Sequence, residues 1–386
     1  MSIDQLYYKH PYMKNFKARV LSCVPKDDAY EITLEETIFY PEGGGQPSDI
    51  GSIGECHISH VRKVGESIIH IGDMPLTEGI EYDAAIDWAR RFDHMQHHSA
   101  EHLLSGIAHK LYGADNVGFG IGELHVTIDF NTTFSREDID PLETLSNDAV
   151  VKNLPINTEY FDKPPEFNYR SKKELSGTIR IVSIDGYDVC ACAGTQLSST
   201  GEIGIIKIVS FGNYKGGSRL YLLCGQRALS DYQMKQDNLL EISTLLSSKP
   251  QETAEHVKKL HEEKETLEFS LLAAKYEIVD MKSDKLLCSD ESDEVLIFEE
   301  GLSGEEMKRY IANLSNKFDT VAVFSGRDVE NGAGGYQYAV TSRTLELPTF
   351  IKDMNTKLNG KGGGKGTAFG HISSNKNEIE NYFKEA

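Results

Sequence analysis

No stretch of this chain approaches the ~20 consecutive apolar residues that a membrane-spanning helix requires, and its first residues lack a signal-peptide pattern. No membrane partner is expected, and the cytoplasm is the expected compartment. Cysteine is sparse: Cys23, Cys56, Cys190, Cys192, Cys224 and Cys288 are scattered without the spacing of a disulfide framework. In a reducing compartment they read as buried thiols or metal ligands. Positive charge is short as well. Forty Lys and Arg against sixty Asp and Glu leave a net charge of −20, which argues against a general coat protein for nucleic acid. A local patch stays open, because six basic residues face only two acids between Arg343 and Lys376. Two further motifs are missing. Lys361-Gly-Gly-Gly-Lys-Gly lacks the Gly-Lys-Ser/Thr ending of a nucleotide-binding loop, and no Asp-His-His run offers the metal cluster of a phosphoesterase.

At 386 residues the chain is long for one core, and two or three domains are expected. Apolar and polar residues alternate from Phe16 to Val24 and from Tyr30 to Tyr40, with turn clusters between them. Residues 1–86 are thus expected to close into a small, mostly antiparallel barrel. From Asp87 to Tyr112 the period becomes helical, with Met95, Ala100, Leu103, Leu104, Ile107, Ala108 and Leu111 on one face. Asn116 to Asn131 reads as a hairpin, Arg136 to Asn153 as a helix begun by the Ser135 cap, and Thr178 to Gly225 as strands. Residues 87–226 form the second expected domain. Between 227 and 285 the composition shifts to Glu, Lys, Leu and Ala. Val257, Leu260, Leu267, Leu271, Ala274 and Ile278 keep three-and-four spacing there, interrupted by Lys264, and Pro250 separates two helices. This is a helical hairpin or short coiled coil, a candidate homodimer seam, or a helix packed on its own chain. Residues 286–386 alternate strand and helix and end in the Lys361 loop and a terminal helix, a small α/β domain. The fold class is α+β.

The chemistry gathers in His98-Ser-Ala-Glu-His102. Two histidines four apart on a helix share a side and can hold one ion. Cys192, about ninety positions downstream, would add a thiolate from a distant strand, a donor set that suits zinc. His94 and His97 lie in the same run and read as surface or outer-shell histidines. In Cys190-Ala191-Cys192 the two sulfurs are too close for a relaxed disulfide. Alone, Gly43-Gly44-Gly45 is a tight turn in the barrel, closed by Asp49 and Gly51.

Together these segments are similar to a known family. His98-Ser-Ala-Glu-His102-Leu-Leu, Cys192-Ala-Gly-Thr-Gln196 and Thr200-Gly-Glu-Ile-Gly204 resemble the editing domain of alanyl-tRNA synthetase. Phe39-Tyr-Pro-Glu-Gly-Gly-Gly-Gln46-Pro-Ser-Asp49-Ile-Gly51 resembles its glycine-rich motif. Lys361-Gly-Gly-Gly-Lys-Gly after a basic helix resembles the C-terminal domain associated with DHH phosphoesterases and alanyl-tRNA synthetases. No segment before the barrel has room for an aminoacylation core, so the resemblance is to the free-standing, long form of alanyl-tRNA editing protein. It implies hydrolysis of mischarged tRNA(Ala), chiefly Ser-tRNA(Ala) and also Gly-tRNA(Ala), with one zinc ion per chain.

The family places that zinc on two His, a Cys and a further His, whereas this chain has Gln196 at the fourth position. Gln196 touches the metal or holds a water on it, or the site is His98, His102 and Cys192 with an open position, or Cys190 substitutes. A degenerate, metal-free tRNA-binding protein is the competing reading. The resemblance makes Gln46, Thr195 and Glu42 the candidates for catalysis or substrate positioning. Short family members carry Thr where Glu42 stands, and Gln46 and Thr195 lead as readers of a serine hydroxyl. It also makes Lys352, Lys357, Lys361 and Lys365 the candidate phosphate contacts of the tRNA, where the plainer reading is a solvated loop. Zinc could activate water or only orient the substrate.

Overall fold

The computed structural model describes residues 5–171, 178–288, 292–330 and 333–385, which divide into two compact units, Met1–Glu241 and Ile242–Ala386. The fold is α+β.

In the first unit, strands Asn15–Lys26, Ala29–Leu34, Gly51–Ile53, Cys56–Val64, Ser67–Gly72 and Glu81–Ile86 close into a barrel. All its pairings are antiparallel. The alternation in the sequence has its reason here: Ala18, Val20, Ile32, Leu34, Ile58, Val61, Ala84 and Ile86 fill the interior, and closure leaves no sheet edge for another chain to extend.

The helix Trp88–Tyr112 follows at once. Asp87 caps it, accepting from Arg90 N at 3.0 Å, and Gly113 ends it in the left-handed conformation. The sequence pattern predicts one apolar face. The helix is instead enclosed on every side from His94 to Ala108, by a four-stranded sheet (Ile206–Tyr214, Gly217–Cys224, Val126–Phe130, Asn116–Ile121 in order), a three-stranded sheet (Asp188–Ala191, Ile179–Ile184, Ile156–Phe161 in order) and the helix Arg136–Lys152. The apolar residues Met95, Leu103, Leu104 and Ile107 join this common core; Leu111, expected on the same face, is exposed.

Enclosure changes the reading of its polar residues, which must find partners once water is gone. His97, expected near the surface, is fully buried; its Nδ1 bonds Asp93 O at 2.8 Å and its Nε2 accepts from Cys224 N at 3.0 Å. His94 is buried too, with its Nδ1 unpartnered among the described residues. Gln96 Nε2 donates to Glu202 O at 2.9 Å.

One ion pair joins helix and barrel. The Arg91 and Asp49 side chains are wholly buried, with Arg91 Nε 2.9 and 3.0 Å from the two carboxylate oxygens. Arg91 also donates to Pro11 O and Ile38 O, and Asp49 accepts from Tyr40 N at 2.6 Å.

In the second unit the helix Thr253–Cys288 packs only its last turns onto the helix Gly304–Leu314, through Val279 and a bidentate Arg309–Asp280 pair. Val257, Leu260, Leu267, Leu271 and Ile278 all stay exposed. A five-stranded sheet follows, in the order Glu294–Glu299, Thr320–Glu330, Ala333–Ser342, Ala368–Ile372, Gly360–Gly363. Its first pair is parallel, joined through the helix Gly304–Leu314, and the rest are antiparallel. The glycine run expected as a loop is therefore partly an edge strand, because Gly360–Gly363 pairs with Phe369–Ile372.

Asp49→Ala is expected to destabilise the first unit by roughly 3–5 kcal/mol, because Arg91 would be left charged and unpaired in a dry site. Urea unfolding followed by the fluorescence of Trp88, the single tryptophan, measures this; an unchanged midpoint would contradict it.

Candidate metal centre

The Gly43–Gly45 turn projects one amide, Gln46, into the first unit's interior. Gly44 and Gly45 both have positive φ, at 60° and 83°, a conformation glycine adopts without steric cost. At Gly45 a Cβ would also lie 2.4 Å from Phe119 O. Tyr40 ties the turn down, its hydroxyl 3.0 Å from both Gly43 O and Ala193 O. Tyr8 donates to the same Ala193 O at 2.7 Å. The carbonyl next to Cys192 is thus held by two phenols from the N-terminal part of the chain.

Gln46 bonds two partners at once. The backbone N of Thr195 lies 3.3 Å from Gln46 Oε1, and Gln46 Nε2 lies 2.9 Å from Thr195 Oγ1. A backbone N–H can only donate, which fixes which end of the amide is oxygen. His98 Nδ1 lies 2.9 Å from that same oxygen, so Nδ1 carries a proton and Nε2 faces the Cys192 sulfur at 3.3 Å. His102 is set the same way from the opposite side: its Nδ1 donates to Asp188 Oδ2 at 2.7 Å, leaving Nε2 buried and without a hydrogen-bond partner among the described residues. The two rings stack at 5.7 Å.

His98, His102 and Cys192 therefore present two imidazole nitrogens and a sulfur, within 4.8 Å of one another. A buried nitrogen that is orphaned while its ring is held by a carboxylate has the arrangement of a metal ligand with its outer partner. Zinc suits this donor set. Burial raises the pKa of Cys192, but His98 and His102 outweigh it and hold the thiol well below its ordinary range. Burial lifts Cys190 far above that range. Cys190 also lies within reach of His102 and Asp188, yet it is a neutral thiol beside a ring nitrogen already bonded to a carboxylate. Burial opposes charge on His102, but Cys192 and Asp188 bring its pKa up to about 10.

Close approach is built into the backbone. At Gly194 a Cβ would meet the His98 ring at 2.0 to 2.9 Å, so only glycine lets the Cys192 loop reach the helix. Gln196 is buried here as well, its Nε2 3.5 Å from Cys192 Sγ and its Oε1 2.7 Å from Ser99 Oγ.

Of the residues singled out in the sequence, His98, His102, Cys192, Gln46, Thr195 and Gln196 meet in one cluster. Glu42 does not join them: its side chain is exposed and turns to His60 at 4.0 Å. Lys352, Lys357, Lys361 and Lys365 lie on the second unit, all exposed. Sequence reasoning missed Asp188, Arg170, Tyr8 and Tyr40. Asp188 is held by a bidentate Arg170 (2.7 and 2.9 Å) as well as by His102. Burial raises its pKa, but the two cations keep the carboxyl below its ordinary range. Asp188 stands four residues before Cys192, and that spacing was the signal available. A cavity of about 1270 Å³ lies against Arg170, Asp188 and Cys190, but none of the six clustered residues lines it. Among them the half-buried Cys192 is the most accessible, and the exposed Gly44–Gly45 turn stands beside Gln46.

Two segments of the chain match known family models. Residues 179–221 match the family described as the threonyl and alanyl tRNA synthetase second additional domain, and residues 292–386 match the DHHA1 domain. The alanyl-tRNA editing protein Aarsd1 of Mus musculus is 28% identical over 382 residues, 93% of this chain and 92% of that protein. The alanyl-tRNA editing protein AlaX-L of Pyrococcus horikoshii is 35% identical over 243 residues, 59% of each chain. The chain is a homologue of the alanyl-tRNA editing proteins. It is also 34% identical over 270 residues to the alanine--tRNA ligase of Pyrococcus abyssi, covering 65% of this chain but 29% of that one. In this alanyl-tRNA editing homologue the matched synthetase-type segment contains Asp188, Cys192 and Gln196.

Asp188→Asn is expected to weaken zinc binding by about 10- to 100-fold, because the amide cannot hold His102 in the same tautomer with the same charge. Competition against a chromophoric chelator reads this, and equal affinities would show that Asp188 serves packing alone.

Proposed function

We propose that this chain is a trans-editing hydrolase that deacylates mischarged tRNA(Ala), chiefly Ser-tRNA(Ala) and also Gly-tRNA(Ala), at a site holding one zinc ion through His98, His102 and Cys192. A single observation carries the reading. Gln46 from the glycine-rich turn is hydrogen-bonded at once to His98 and Thr195, so the glycine-rich motif, the His98–His102 motif and the Cys192–Gln196 motif form one constellation.

The reaction asks little of the site. An aminoacyl ester is already activated, so a positioned water and stabilisation of the developing oxyanion suffice. Bound zinc would supply a Lewis acid, lowering the pKa of a water or orienting the substrate. The chain's own residues provide discrimination. Thr195 Oγ1 accepts from Gln46, which leaves its own proton to donate, and a serine hydroxyl is the acceptor it suits. A site built to bond that hydroxyl can reject alanine by ~10⁴, whereas one that merely tolerates it cannot. The zinc and the glycine-rich turn belong to residues 1–226 in this reading. Lys352, Lys357, Lys361 and Lys365 in 286–386 meet the tRNA backbone, and the exposed apolar stripe of 227–285 is a candidate homodimer seam. The compartment is the cytoplasm.

Purified protein is expected to hydrolyse Ser-tRNA(Ala) and spare Ala-tRNA(Ala), with Thr195→Val lowering kcat/KM for the former by about 10- to 100-fold, the worth of one buried hydrogen bond. Equal rates on both substrates would reject editing. Binding of tRNA without hydrolysis of either would favour a degenerate, metal-poor binding protein.

Lys361→Ala with Lys365→Ala is expected to weaken tRNA affinity and flatten its dependence on salt, since each phosphate contact releases counterions on binding. Unchanged affinity across a salt titration would remove these two lysines from the interface.

A further inference from the structure

We infer that Gln196, which stands where the family's fourth zinc ligand is expected, is a hydrogen-bond donor to the Cys192 sulfur and no ligand, so that the protein holds its metal by three side chains and leaves one coordination position open. This rests on the zinc reading above and concerns only how this chain's own residues meet that ion.

The orientation of the Gln196 amide decides the matter, and its neighbours fix it. The backbone N of Leu197 lies 3.2 Å from Ser99 Oγ. That N–H can only donate, so Ser99 accepts there and has its single proton to give elsewhere. Its other close partner is one end of the Gln196 amide at 2.7 Å. An oxygen at that end receives the proton. The NH2 group then points the other way, and it lies 3.5 Å from Cys192 Sγ. Turned round, the amide would set a donor against Ser99, whose hydroxyl proton would then have no acceptor. Ser99 and Gln196 are both buried, so no water relieves the wrong orientation.

An NH2 group cannot ligate a cation. The amide oxygen, itself a poor zinc ligand beside imidazole and thiolate, is committed to Ser99. A second donor acts on the same sulfur: Gly194 N lies 3.3 Å from Cys192 Sγ. Two N–H groups on one thiolate draw charge from it and leave a bound metal more electrophilic. The sequence change thus exchanges a fourth protein ligand for an open position and a weaker sulfur donor. Both favour access of water or of an ester oxygen.

Cobalt(II) loaded into the full-length chain in place of zinc tests this without reference to catalysis. Wild type is expected to take up one cobalt, and added azide to shift its visible d–d bands by entering the open position. Gln196→Ala is expected to keep the stoichiometry and the azide response but to move the thiolate-to-cobalt charge-transfer band, because one N–H leaves the sulfur. Gln196→His, restoring the family's donor, is expected to lose the azide response. Loss of cobalt from Gln196→Ala as complete as from Cys192→Ala would overturn the inference. So would a wild-type spectrum indifferent to azide. A wild-type chain that takes up no cobalt would sink the metal reading itself, an outcome distinct from both.

Discussion

The site exists because a charged pair is buried where it is. Arg91 and Asp49 sit at the junction of helix and barrel with no exposed side-chain surface, and a buried charge must be fully partnered or it costs several kcal/mol. Arg91 satisfies that demand by reaching Asp49, Pro11 O and Ile38 O; Asp49 does so by holding Arg91 and Tyr40 N. Each partner lies on a different segment: the chain before the barrel, the stretch leading to the glycine-rich turn, the turn's own exit, and the helix. Their positions are fixed together. Gln46 stands three residues before Asp49, and His98 stands two turns after Arg91. The 2.9 Å bond between them is a consequence of docking done elsewhere.

That separation of labour explains why the metal-facing residues are so fully backed. His98 has Gln46 behind it, His102 has Asp188, and Asp188 has Arg170. Each outer partner fixes a ring orientation, so that both Nε2 atoms face one point. Preorganisation of this kind matters for a site on a helix, a loop after a strand and a barrel turn, whose elements could otherwise shift by an ångström and scatter the donors. The helix that carries both histidines is correspondingly stiff, enclosed along four turns and tied at His97 to Cys224.

Much of this was legible in the residues. Alternation gave the barrel, the three-and-four period gave the helices, and Ser135 marked a capping box that the structure forms with Asp138. The i,i+4 spacing of His98 and His102 placed both on one side. What stayed hidden shares one physical cause: it depends on what surrounds an element. The strand Ile156–Phe161 buries only its first residue fully, so it shows no alternation to read. His94 and His97 look like surface residues because the second layer that covers them comes from sequence far away. Glu42 beside Gly43 looked like a functional acid, yet its exposed side chain turns to His60 at 4.0 Å. The Lys361 run looked like a loop because glycines carry no strand signal; the pairing with Phe369–Ile372 supplies the order that composition does not.

On the proposed reading, Gln46 would tie geometry at the metal to recognition at the substrate. Its oxygen accepts from His98 and from Thr195 N, and its nitrogen serves the Thr195 hydroxyl. An amide has one acceptor end and one donor end on a rigid plane, so the His98 ring and the Thr195 hydroxyl cannot be set independently of each other. A glutamate there would repel the Cys192 thiolate and lose the donor; a histidine could not serve both partners at these distances. The same plane that aims His98 Nε2 at the sulfur therefore aims the Thr195 proton into the adjoining space. A hydroxyl-bearing acyl group would be read at a fixed distance from the metal because one side chain sets both. On the editing reading proposed above, selectivity and activation would be coupled through that residue: the glycine-rich turn bends so that a single amide can stand between them.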